Sequence, residues 1–102
     1  MSLVLGSKNV ATAGSAVPLS STSLRVAQIV IQVKPTNSGY IYLGDNTVTS
    51  SNGIRLEVPV AGVVLPDAEI KLTGVGNNLD LSQLYINASQ SGDGVNFLYE
   101  VF

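Results

Sequence analysis

The chain has 102 residues, no His, Cys or Trp, only 12% charged residues and a net charge of −2. Soluble domains carry about 25% charged residues, and chemistry near neutral pH draws mostly on His, Cys or paired carboxylates. The expectation is a non-enzyme with no cofactor, no metal and no small-molecule substrate, and the lack of Cys excludes a disulfide scaffold.

Five basic residues, at positions 8, 25, 34, 55 and 71, form no cluster of the kind nucleic acid requires. No apolar run approaches the length of a bilayer span, so neither nucleic acid nor membrane is an expected partner. The opening Met1–Lys8 lacks a basic region ahead of an apolar block and does not read as a secretory signal. Scarce charge is a property of surface buried against other subunits.

In chain order, residues 1–8 read as an N-terminal arm and residues 9–102 as a single β-domain. Short strands are expected at Val10–Thr12 and Ala16–Leu19, joined by Ala13, Gly14 and Ser15. Period-two alternation is clear in Ala27, Ile29, Ile31 and Val33, with Gln28 and Gln32 on the other face. The run Lys34–Gly39 holds the Pro, Asn, Ser and Gly of a turn, which predicts a hairpin into a strand over Tyr40–Gly44. A Ser/Thr/Asn-rich loop from Asp45 to Asn52 leads to Ile54–Val58, where Ile54, Leu56 and Val58 alternate with charges. Pro59 and Pro66 end strands or lie at edges. Glu69–Leu72 is a further short strand, stopped by the loop Gly74–Asn78. Leu79–Ser82 reads as a tight turn before a strand over Gln83–Ala88. The turn Ser91–Gly94 predicts a final hairpin into Val95–Phe102. Seven or eight short strands spaced by turns imply an all-β fold, a small antiparallel β-sandwich or barrel of the jelly-roll or β-tulip kind.

Candidate chemistry is sparse. Without His, a nucleophilic Ser has only Lys8, Lys34 or Lys71 as a base, and these read as solvated charges at strand ends. Asp45, Asp67, Asp80 and Asp93 each sit among turn residues, where Asp accepts local backbone hydrogen bonds. Ser91–Asn96 supplies one Asp, too few ligands for a calcium loop. Gly74–Asn78 lacks the third glycine and the helix of a phosphate site. Asn87–Ser89 matches a glycosylation acceptor. Tyr40 and Tyr42 share one strand face, a possible subunit or ligand contact, and a paired platform of that kind would suit a sugar. An apolar Leu3, Val4 and Leu5 could dock on a neighbouring sheet.

Longer stretches carry a resemblance. Ser38–Asp45, Val48–Leu56, Leu79–Ala88 and Gly92–Val95, together with Val10–Ser20, resemble small structural proteins of tailed-bacteriophage virions, including capsid decoration (cement) proteins. The resemblance implies a compact β-fold carried as a homotrimer on the capsid surface of the virion, made in the host cytoplasm. Its partner would be the major capsid protein, and Leu3, Val4 and Leu5 would form the capsid-binding arm. Two other readings are a tail, baseplate or fibre-adaptor component and a carbohydrate-binding module.

Overall fold

Alternation of apolar and polar residues becomes extended backbone wherever a second strand supplies hydrogen bonds. In the computed structural model, which describes residues 2–58, 69–73 and 79–101, nine strands form. They are β1 (Ser2–Asn9), β2 (Val17–Pro18), β3 (Arg25–Val33), β4 (Tyr40–Gly44), β5 (Ile54–Glu57), β6 (Glu69–Thr73), β7 (Leu79–Asp80), β8 (Tyr85–Ala88) and β9 (Gly94–Val101). A single 3-10 turn, Leu81–Gln83, separates β7 from β8.

The strands make two antiparallel sheets, one ordered β1-β9-β3-β6 with β7 also beside β3, the other ordered β2-β8-β4-β5. Apart from the two-residue β7, eight strands pair first with last, second with seventh, third with sixth and fourth with fifth. This is a long antiparallel ribbon rolled on itself, and rolling adds the β3–β9 and β4–β8 ladders. The result is a jelly roll, the sandwich form of the sandwich or barrel expected from the sequence.

Residues from both sheets fill the interior. Ile29, Ile31, Val33, Val95 and Phe97 face Ile41, Leu43, Leu56, Ile86 and Ala88, with Val10, Leu19 and Leu81 closing the ends. The register of β3 against β9 shifts between Val26 and Gln28, so Ala27 is the unpaired residue of a β-bulge. The bulge lies where β3 changes partner, from β6 at Gln28–Gln32 to β7 at Arg25 and Val26.

Several local expectations are corrected. Residues 2–9 are not an arm lying outside the sheet but the edge strand β1, in register with β9 from Ser2↔Val101 to Asn9↔Gly94. Neither expected hairpin forms. Residues 34–39 carry the chain from one sheet to the other, and so do residues 89–93, because β3 and β9 lie in one sheet and β4 and β8 in the other. Instead β4 and β5, across the 45–53 loop, make the local hairpin at the tip of the ribbon. Val10–Thr12 is not a strand: Val10 is buried and bonded to residues 92 and 93, and the chain then bends to Gly14 at φ +89°. The strand expected at Ala16–Leu19 shortens to Val17–Pro18. The turn expected at Leu79–Ser82 becomes β7 followed by the 3-10 turn. Pro59, Pro66, Asp67 and the Gly74–Asn78 loop lie outside the described residues.

Candidate functional site

In antiparallel pairs, directly opposed residues share a face, so the register orders the outer surface of the first sheet into rows. The central row is Leu5, Leu98, Val30 and Lys71, running across β1, β9, β3 and β6. On one side lie Leu3, Glu100, Gln28 and Thr73, and on the other Ser7, Asn96 and Gln32. Leu3, Leu5 and Leu98 are 65%, 76% and 41% exposed. An aliphatic band thus crosses three strands and is bordered mostly by uncharged amides and hydroxyls.

The opposite face of β1 holds the strand in place. Gly6 opposes Phe97, and the ring lies where a Gly6 side chain would otherwise stand. Phe97 also stacks on Tyr99, with centroids 5.9 Å apart and planes at 28°. Leu3, Val4 and Leu5 therefore do not act as one unit. Leu3 and Leu5 point outward, whereas Val4 pairs with Tyr99 on the inner side.

The outermost strands differ in how their edges are defended. β2 is two residues long and contains Pro18, β5 carries Arg55 and Glu57, and β6 carries the exposed Lys71. β1 has eight residues, no Pro and one charge, Lys8. Its outer edge meets no strand among the described residues.

The second sheet does not present the tyrosine pair. Tyr42 is buried, with Gly53 of the 45–53 loop packed close against its Cβ. Tyr40 is partly exposed, but the Arg55 guanidinium stands 4.9 Å from its ring centroid. A two-ring platform for a sugar is therefore not formed. Asn87 is also buried, its amide donating to the Val48 carbonyl at 3.1 Å, so it cannot receive a glycan in this fold.

The aspartates are engaged as fasteners. Asp93, buried, accepts from the backbone N–H of Ser38 (3.1 Å) and of Gly39 (2.8 Å). Asn37 completes the junction, its Nδ2 donating to the Gly94 carbonyl at 2.8 Å and its Oδ1 accepting from Gly94 N–H at 2.9 Å. The two sheet-to-sheet connections are thereby tied together. Asp80 accepts from the Ser23 hydroxyl, Leu24 N–H, and the N–H and hydroxyl of Ser82. These donors, the Ser23 hydroxyl first, hold its carboxyl far below the usual carboxylate range. The Thr47 hydroxyl and then its N–H lower the Asp45 pKa in the same way.

A shallow polar hollow of about 380 Å³, lined by Asp45, Asn46, Ser82, Gln83 and Tyr85, has its Asp45 and Ser82 already committed to neighbouring turns. Among the described residues no group of three or more Asp or Glu side chains stands close enough to hold a metal ion.

No protein-family model matches the chain, and no curated protein or solved structure does so either. Sequence reasoning identified Leu3 and Leu5 but missed Leu98 and Val30. That they lie beside Leu5 follows from the register of β9 with β1 and β3, which periodicity within one strand does not encode.

Proposed function

We propose that the chain is a structural subunit of a tailed-bacteriophage virion, seated on the capsid shell as a decoration protein and bound to the major capsid protein. The observation that carries this reading is the aliphatic band of Leu3, Leu5, Leu98 and Val30 on an outer sheet face where Glu100 and Lys71 are the charges beside it and its other neighbours are amides and hydroxyls. Contiguous apolar surface rimmed by polar residues is the pattern of a protein contact, and depletion of charge at its centre is the compositional mark of an interface. The jelly roll is a fold on which viral capsid and lectin domains are built. The surface, more than the fold, decides between these two. A lectin would need an open ring platform, and Tyr42 is covered.

A decoration protein binds the assembled shell in preference to its separated parts. By linkage each occupied site stabilises the shell by about 2.7 kcal/mol when free protein stands at a hundred times its Kd. Repetition over many sites makes that modest quantity sufficient to oppose the pressure of packaged nucleic acid.

The test is co-sedimentation with heads of the encoding phage, before and after expansion. Binding to expanded heads, lost in Leu98→Asp with unchanged thermal stability, supports the reading. Failure to bind either form refutes it.

A further inference from the structure

We infer that the edge of β1 that meets no strand among the described residues is closed by β1 of a second copy of this chain, paired antiparallel about a two-fold axis at Leu5. This rests on the surface reading above and names the partner of its free edge.

The hydrogen-bond alternation of the sheet fixes which groups β1 offers. Val10 N–H donates to the Asp93 carbonyl at 2.8 Å, and the same register continues down β1 and β9. Antiparallel ladders alternate bonded and non-bonded pairs, so Lys8, Gly6 and Val4 bond to β9. The other side of β9 agrees: Lys34 N–H donates to the Gly94 carbonyl at 3.1 Å, which assigns the even-numbered residues of β9 to β3 and the odd-numbered ones to β1. Leu3, Leu5, Ser7 and Asn9 therefore turn both N–H and C=O to the free edge.

These positions complement themselves. Only registers pairing odd residues with odd residues join donors to acceptors. Of these, the register centred on Leu5 pairs Leu5 with Leu5, Leu3 with Ser7, and Ser7 with Leu3, whereas the one centred on Gly6 also engages Asn9 but sets Leu5 against Ser7 and breaks the outer aliphatic row. The intervening pairs place Val4 against Gly6, a half-exposed side chain beside a residue with none. The outer face then carries one uninterrupted band, Val30–Leu98–Leu5 of one copy continuing into Leu5–Leu98–Val30 of the other.

Charge favours the same direction. The lone charge of the strand, Lys8, lies at opposite ends of an antiparallel pair. The two ammonium groups are then about 20 Å apart at 3.3 Å rise per residue, beyond the ~8 Å screening length. A parallel pairing would set them side by side. A two-fold contact is also the commonest way for identical chains to close on themselves.

The intact chain is measured by analytical ultracentrifugation beside Leu5→Pro, Leu5→Ala and Leu98→Asp. Proline at position 5 removes a free-edge donor while leaving every bond to β9 in place, a substitution that edge strands tolerate. The intact chain is expected at twice 10.6 kDa. Leu5→Pro should fall to half that mass, and Leu5→Ala and Leu98→Asp should keep it. Should Leu5→Pro fail to fold, amide exchange of the intact chain decides the matter. Protection of Leu3, Leu5 and Ser7 should fade on dilution, while that of Val4, Gly6 and Lys8 persists. A monomer or a trimer, the latter implied by the resemblance, overturns the proposal, as does a dimer that survives Leu5→Pro. Loss of shell binding in Leu98→Asp without loss of the dimer separates the two readings.

Discussion

Asp93 joins two of the connections that cross between sheets, residues 34–39 and 89–93, and its removal should be felt globally. In Asp93→Ala the backbone N–H groups of Ser38 and Gly39 lose their acceptor in a part-buried site. Leaving a buried donor unpaired costs about 1–3 kcal/mol, so two donors set a range of about 2–6 kcal/mol, with about 3 kcal/mol expected because Ser38 itself is exposed. For a domain near this size 1 kcal/mol moves the midpoint by about 4–8 °C, giving a fall of roughly 12–24 °C. Asp93→Asn keeps the shape and one carbonyl acceptor but turns an NH₂ group toward the other donor, and should cost about half as much. Thermal and urea unfolding measure both variants, with an unchanged m-value showing that the folded state keeps its compactness. A cost under about 0.5 kcal/mol for Asp93→Ala, the ordinary range for surface substitutions, would refute the idea that this carboxylate fastens the crossovers.

Ile31, fully buried between the sheets, should lose about 2–5 kcal/mol on truncation to Ala, read from the urea midpoint. Gly94 touches the Lys8 carbonyl and Asn9 so closely that any Cβ collides with them; Gly94→Ala should destabilise the fold and raise exchange at Lys8 and Val95 amides. Asp80 has its pKa depressed from 3.8, so its contribution is present above the unfolded pKa and disappears as pH falls toward the folded one. Stability should therefore decline from about pH 5 downward, and by less in Asp80→Asn, as followed by thermal midpoints at successive pH values.

The positions of most strands were legible in the sequence because alternation is a local property. Ile29, Ile31 and Val33 advertise their face, as do Ile41 with Leu43 and the residues from Val95 onward. Pairing was not legible. Lys34–Gly39 and Ser89–Asp93 contain residues suited to a reversal, but such residues serve equally for a tight hairpin and for a corner between sheets. In a rolled ribbon nearly every connection is a corner, and the 45–53 loop, long and polar, concealed the tip hairpin. Leu3 and Leu5 were visible as an apolar segment, yet only the ladder with β9 reveals that they join Leu98 and Val30. Tyr42 gave no sign of burial, since Gly53, which packs against it, belongs to a loop without periodicity.

Ala27 gives β3 a tolerance that strands ordinarily lack. Excising it would leave Val26 directly before Gln28, with both side chains on their present sides and opposite Val101 and Glu100 as before. A one-residue loss elsewhere in the strand would instead invert every side chain beyond it. Loss of that one residue would keep the inward and outward assignment of β3 on both sides of the bulge.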